Sequence, residues 1–134
     1  MKVTMISRAR RLAACLAVAT VIGIASADHV TITVPTGENP IAAAVNPVTN
    51  KIYVANASGS SVTVIDGATN ATATVAVGPW PRAVAVNPVT NKIYVANGSG
   101  GNVAVIDGAT NATANVAVGS WPAAVAVKTV TNKI

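Results

Sequence analysis

Phenylalanine is absent from these 134 residues, and the aromatic complement is two tryptophans and two tyrosines. Histidine and cysteine occur once each, and four carboxylates stand against nine lysines and arginines. Each shortage excludes a class of function. A Ser-His-Asp relay would have to be built on His29, beside an expected chain terminus, so nucleophilic catalysis is not expected. A zinc site has no cluster of His and Cys donors to draw on. Neither enzyme activity nor a cofactor is expected.

The positive charge is concentrated where it says least about the folded protein. MKVTMISRARR carries Lys2, Arg8, Arg10 and Arg11, the uncharged run LAACLAVATVIGIASA follows, and Ala25-Ser26-Ala27 closes it with small residues. This order predicts a secretory signal peptide over residues 1–27, cleaved between Ala27 and Asp28. The apolar run falls short of the roughly 20 residues that span a bilayer. A retained anchor, and stable membrane insertion after cleavage, are therefore not expected. Leu12-Ala13-Ala14-Cys15 resembles a lipobox. Most of the apolar run follows the cysteine, however, so Cys15 reads as a small residue of the signal core.

Without the leader, Lys51, Arg82, Lys92, Lys128 and Lys133 face Asp28, Glu38, Asp66 and Asp107, leaving about +1. These charges are dispersed, with no basic stripe to follow a phosphate backbone, and nucleic acid is not an expected partner. The remaining chain has no thiol, so packing must hold it together outside the cell.

What the chain has in abundance is repetition. NPVTNKIYVAN occupies 46–56 and again 87–97, and TVTNKI begins a third copy at Thr129. Residues 42–78 lie on 83–119 at an offset of 41, without a gap, and only six of the 37 positions differ. A period of this length signals a solenoid, a propeller or an array. Helical repeats fail on content, because no apolar stripe of helical period exists. Four short apolar segments per unit read as strands: in the second unit AVAVN (83–87), KIYVAN (92–97), NVAVID (102–107) and TANVAV (113–118).

The connections carry turn chemistry. Pro47 and Pro88 preset a turn φ, and Asn50 and Asn91 tolerate the left-handed region. Asp66-Gly67 and Asp107-Gly108 mark the next hairpin, with glycine expected at positive φ. Ser58-Gly59 and 98–101 read as plain flexible loops. Four antiparallel strands per unit of about 40 residues describe one β-propeller blade. Weak polar alternation and many thin residues fit sheets covered on both faces.

The landmarks Asn-Pro-x-Thr-Asn-x-Ile-Tyr-Val-x-Asn, then Val-x-Val-Ile-Asp, then Val-x-Val-Gly-x-x-Pro, resemble the YVTN-family β-propeller repeat over residues 32–134. Positions 53–56 and 94–97 read Tyr-Val-Ala-Asn, a thin residue replacing the family's threonine. WD40 signatures are missing. The resemblance implies an exported or cell-surface protein, with no single shared chemistry.

The predicted fold class is all-β: propeller blades of four antiparallel strands, forming an incomplete ring. Within the propeller region at 28–134, a lone strand spans 30–36, blades span 41–78 and 82–119, and an incomplete blade spans 123–134. Rings need about four to eight blades. The chain is therefore expected to be a fragment of a longer product, or else to self-assemble with other copies to complete a ring. The expected function is a binding or interaction scaffold of the cell envelope, periplasmic or at the cell surface. The alternative is part of an enzyme or cofactor-binding propeller whose active residues lie in other blades.

Few residues offer chemistry. Asp66 and Asp107 fit either a carboxylate pair, which could ligate calcium, or two repeats of a turn. Repetition in register favours the turn, and no metal is expected. Trp80 and Trp121 sit in G-x-W-P loops between blades, where each either covers the gap between blades or joins a partner-binding face for a protein or glycan. Asn39 takes that place in the first repeat. Tyr53 and Tyr94 read as packing residues between blades. Sequons occur at Asn56, Asn70, Asn97 and Asn111.

Overall fold

The structure is a computed structural model that describes residues 2–8, 16–18, 29–131 and 133–134, with side chains from residue 32 onward. Among the described residues there is no helix. The expected cleavage point at Ala27–Asp28 and Cys15 lie outside the described residues. The strands are β1 (Lys2–Arg8), β2 (Leu16–Val18), β3 (His29–Pro35), β4 (Pro40–Asn46), β5 (Lys51–Asn56), β6 (Ser61–Asp66), β7 (Thr72–Ala76), β8 (Pro81–Asn87), β9 (Lys92–Asn97), β10 (Asn102–Asp107) and β11 (Thr113–Ala117). Two antiparallel four-stranded sheets run β4-β5-β6-β7 and β8-β9-β10-β11 in chain order, as a propeller blade requires. A third sheet, β2-β1-β3, pairs Lys2–Arg8 with His29–Pro35.

Strand boundaries follow the turn residues. Pro40 and Pro81 open β4 and β8, where a missing ladder donor costs least, and a register shift follows each of them. At one end of each blade, Asn46 and Asn87 do more than finish a strand. The Oδ1 of Asn46 accepts from the Val48 and Thr49 amides (3.0 and 3.4 Å), and Asn87 does the same for Val89 and Thr90 (3.0 and 3.3 Å). Asn50 and Asn91 then take φ of 52°, as their residue type allows.

The Asp-Gly turns depart from expectation. Gly67 and Gly108 do not adopt positive φ; Asn70 and Asn111 carry it instead, at 62° and 61°. Glycine is needed for close approach. The Gly67 and Gly108 amides donate to the Asn50 and Asn91 carbonyls at 2.8 Å, tying the two loops of one blade end together. A Cβ there would lie 2.7 Å from the Asn50 carbonyl oxygen and 2.8 Å from that of Asn91.

At the opposite end the organising residues are Asn56 and Asn97, both fully buried. The Asn56 amide donates to Thr63 Oγ1 (2.9 Å) and Ser61 Oγ (3.2 Å). Thr63 Oγ1 in turn accepts from the Gly37 amide at 3.2 Å. Gly37 and Gly78 press on these asparagines, so an added Cβ would meet Asn56 Nδ2 at 2.7 Å and Asn97 Nδ2 at 2.6 Å. The Ala57 amide donates to the Asn39 carbonyl, and Gly98 to that of Trp80, each at 2.9 Å. The segments expected to be plain flexible loops are therefore fastened to the blade entrances.

Faces alternate along every strand. On the first blade Tyr53, Val62, Val64 and Val75 point one way, against Ile93, Val95 and Ile106 of the second. Its other face, Ile52, Val54 and Ile65, is covered by Val34 and Ile32 of β3. The middle strands β5 and β6 are therefore buried on both faces, while β7 keeps only Val75 buried. The second blade has its outer strand open to solvent: β11 is exposed throughout.

The third copy does not form the expected strands. Residues 122–127 carry no ladder, and Lys128 and Lys133 form one isolated bridge. At the Asn-Pro positions this copy has Lys128-Thr129, so the side-chain acceptor that shapes the earlier turns is missing.

Replacing Asn56 with Ala leaves the Thr63 and Ser61 hydroxyls without their buried donor and opens a gap beneath Gly37. The expected loss is about 2 kcal/mol of unfolding free energy. Denaturant titration of this variant against Thr74→Ala, an exposed strand position, measures it. Equal losses in the two would mean that the buried amide is not a support.

Candidate functional site

The loops before Pro40, Pro81 and Pro122 lie at the same blade end as the buried Asn56 and Asn97. They hold both tryptophans of the chain. Trp80 is 44% exposed and Trp121 62%. Asn39, Trp80 and Trp121 have φ of 54°, 56° and 56°. For asparagine the left-handed region is ordinary; for tryptophan it is a genuine outlier, costing about 1–2 kcal/mol. The Gly98 amide holds the Trp80 carbonyl from behind, so the backbone is fixed while the indole faces outward. Trp80 is thus more than half covered, while Trp121, with no third blade formed beside it among the described residues, is the more exposed of the two.

Charged neighbours frame the same end. Arg82 follows Pro81, is exposed, and lays its stem over Gly98, where a Cβ would come within 2.7 Å of its Cδ. Glu38 is exposed beside Asn39. The surface thus offers flat aromatic area with one cation, Arg82, and one carboxylate, Glu38, on the loops of successive repeats. Gly119 differs from Gly37 and Gly78, since nothing lies within 4 Å of its hypothetical Cβ.

The other chemistry-bearing residues are structural in placement. Asp66 Oδ1 accepts from the Ala68 and Thr69 amides (both 2.9 Å), and Asp107 from Ala109 and Thr110 (2.9 and 3.2 Å). Each carboxylate shapes its own turn. Among the described residues no three His, Cys, Asp or Glu side chains gather around a common point. His29 lies on β3, paired with Arg8. Tyr53 and Tyr94 are buried within their blades, and the Tyr53 hydroxyl finds no hydrogen-bond partner among the described residues. Burial, and then the Asp107 carboxylate, hold the Tyr53 phenol above its ordinary pKa, so it stays neutral. The Asn56 and Asn97 sequons are closed by burial. Those at Asn70 and Asn111 lie on half-exposed turns.

Two outcomes follow. Trp80→Gly relieves the left-handed strain, about 1–2 kcal/mol, but gives up an indole covered over more than half its area, so a net loss of stability below about 2 kcal/mol is expected. Loss of a sealing tryptophan would cost about 3–5 kcal/mol, and a denaturation curve separates the two. The second concerns acid. Amides of Thr69 and Ala68, and of Ala109 and Thr110, hold Asp66 and Asp107 below their ordinary 3.8. A carboxylate lowered in the folded state stabilises fully above its unfolded pKa, and the contribution fades as pH falls through the folded value. Asp107→Asn keeps the acceptor oxygen but cannot titrate. Its denaturation midpoint is expected to fall less steeply than the parent's below pH 3.8.

Neither a family model nor a curated protein matches this chain. Solved structures do. A hydrazine synthase structure from Kuenenia stuttgartiensis is 32% identical with a TM-score of 0.61, over 64% of this chain and 25% of that one. A functionally unknown protein from Desulfotomaculum acetoxidans has a TM-score of 0.63 at 17% identity, covering 77% of this chain and 36% of that one. Apo AztD from Citrobacter koseri has 0.60 at 23%, covering 75% and 28%. This chain spans about a quarter to a third of the length of these structures. Hydrazine synthase and AztD are β-propeller proteins. With two antiparallel four-stranded blades and an open ring, this chain has the fold of an incomplete β-propeller.

Proposed function

We propose that the protein is an exported binding scaffold of the cell envelope, built from YVTN-type propeller repeats, that takes a protein or glycan partner through the Trp80–Trp121 face. The observation that carries this reading is the pair of indoles held at strained φ and exposed on equivalent loops. Strain of this kind persists where the surroundings enforce it, and it concentrates at ligand sites. Tryptophan is well suited to stacking on a sugar face or filling a partner's pocket. Export rests on the basic, apolar and small-residue order of residues 1–27. The repeat assignment rests on the 41-residue motif. The scaffold needs more blades than the two formed here, from a longer product or from further copies, since rings take about four to eight.

The second reading is a segment of an enzyme propeller with its active residues in other blades. The 32% identity to a hydrazine synthase chain favours it. That likeness weighs less, because the residues most suited to catalysis here, Asp66 and Asp107, are occupied in their own turns.

The test has two parts. N-terminal sequencing after expression in a bacterial host is expected to begin at Asp28; retention of Met1 would remove the export reading. Tryptophan emission is then followed during titration with soluble cell-wall oligosaccharides, and envelope extract is passed over immobilised protein. The parent is expected to respond in one of these assays, and a Trp80→Asn, Trp121→Asn variant to lose that response. Silence in both, or retention that ignores the double variant, would remove the binding face.

A further inference from the structure

The period makes each residue of one blade comparable with its copies, and one comparison is uneven. Val34, Val75 and Val116 hold the same register in β3, β7 and β11. They are 2%, 7% and 47% exposed. Val34 is covered by the Ile52, Val54 and Ile65 face, and Val75 by the equivalent Ile93, Val95 and Ile106 face. Val116 has no such cover, and Val118 beside it is also exposed. The lysines repeat the contrast. Lys51 reaches across to the next blade and donates to the Gly108 carbonyl at 3.1 Å. Lys92, its copy, turns back to Asp107 of its own blade at 3.7 Å, both groups being well exposed.

We infer that the exposed β11 side of the open face of β8–β11, with Val105, Val116 and Val118 beside the already buried Tyr94 and Val103, is a docking surface for the first blade of a second copy of this chain, joined head to tail. The occupant is specified by the interface already formed. The first blade accepts a face bearing Ile93, Val95 and Ile106, and the chain carries that face a second time as Ile52, Val54 and Ile65. Residues 42–78 and 83–119 are identical at 31 of 37 positions, so a second copy's first blade reproduces the surface that fits. In this union Lys92 leaves Asp107 and reaches the Gly67 carbonyl of the second copy, as Lys51 now reaches Gly108. The surface used on one copy differs from that used on the other, so the contact is heterologous and yields a ring or a filament according to its rotation.

The receiving face is occupied within each chain by β3, through Ile32 and Val34. β11 of one copy and β3 of the other therefore compete for one seat. β11 arrives as part of a four-stranded sheet, with Val103 and Val105 of β10 alongside. β3 comes with the three-stranded sheet that includes Lys2–Arg8. The inference uses the flat face of the blade and is independent of the tryptophan loops.

Light scattering on the exported form beginning at Asp28 tests it over a wide concentration range, with circular dichroism on each sample. The parent's mass is expected to rise with concentration. Val116→Asp is expected to weaken association by at least about tenfold, since the docked state would bury a carboxylate against isoleucine. Its strand spectrum should be unchanged, because residue 116 is exposed in the single chain. Should that variant fail to fold, Val116→Thr, of the same shape, decides with a smaller weakening. Val34→Ala loosens β3 from the contested seat and is expected to strengthen association. A parent that stays at single-chain mass, or association unaffected by either change at residue 116, overturns the inference. So does weaker association in Val34→Ala.

Discussion

Everything in each blade is indexed to a buried carboxamide at its corners. Asn46 and Asn87 stand at one end and Asn56 and Asn97 at the other, all without solvent exposure. The side chains between them are thin, mostly alanine and valine, and cannot fix the relation of one loop to the next by bulk. A carboxamide can, because it presents a donor and an acceptor without a charge. Asn46 shapes its own turn through Oδ1 and sends Nδ2 across to Asn91 Oδ1 of the neighbouring blade at 2.9 Å. Aspartate there would bury a charge, and serine would not span the distance. Loop amides meet the Oδ1 of Asn46 and Asn87, and side-chain oxygens of Thr63 and Ser61 meet Asn56, which offsets the cost of burying these carboxamides. Their placement also explains the glycines at 37 and 78, whose lack of a side chain gives Asn56 and Asn97 their space.

A repeat copied almost without change makes every blade two-faced. One face carries Tyr53 and the valines, the other the isoleucines, and each packs only on its opposite. Interfaces of this kind propagate, because they do not close on themselves pairwise. Identical sequences then acquire different environments from position alone. Val75 is in the core while Val116 is in water, and Lys51 spans an interface while Lys92 folds back. The energetic difference is on the scale of a buried valine, about 1.5–3 kcal/mol, and it arises from neighbours, with no change in the residue.

Much of this architecture was legible in the chain. The offset of 41 fixes the blade, and Pro47, Asn50 and the Asp-Gly pairs bound the strands to within a residue or two. What escaped was mostly who touches whom across a loop. Gly67 reads equally well as a positive-φ residue or as a place of close approach, and only the Asn50 carbonyl above it decides. Asn56 looks like a strand end or a sequon until Gly37 and Thr63 are brought against it. The third copy keeps the turn register, Lys128 bridging Lys133 as Asn87 pairs with Lys92, even with Lys128-Thr129 in place of Asn-Pro. For the candidate site, the loop and both tryptophans were legible, but the sign of their φ was not.

That sign bears on what the tryptophans are for. Position 39 shows what the backbone prefers there: asparagine enters the left-handed region at little cost, and its carbonyl still accepts the Ala57 amide. Trp80 satisfies the same backbone requirement less well and leaves 44% of its area exposed. A residue that is locally unfavourable, exposed and recurrent at equivalent loops is not explained by the stability of the blade it stands on. The backbone at 80 is held by Gly98 whatever the side chain, so the fold supplies a fixed mount and tolerates the strain. The proposed partner would meet the indole at this loop end, with Arg82 and Glu38 at its margin.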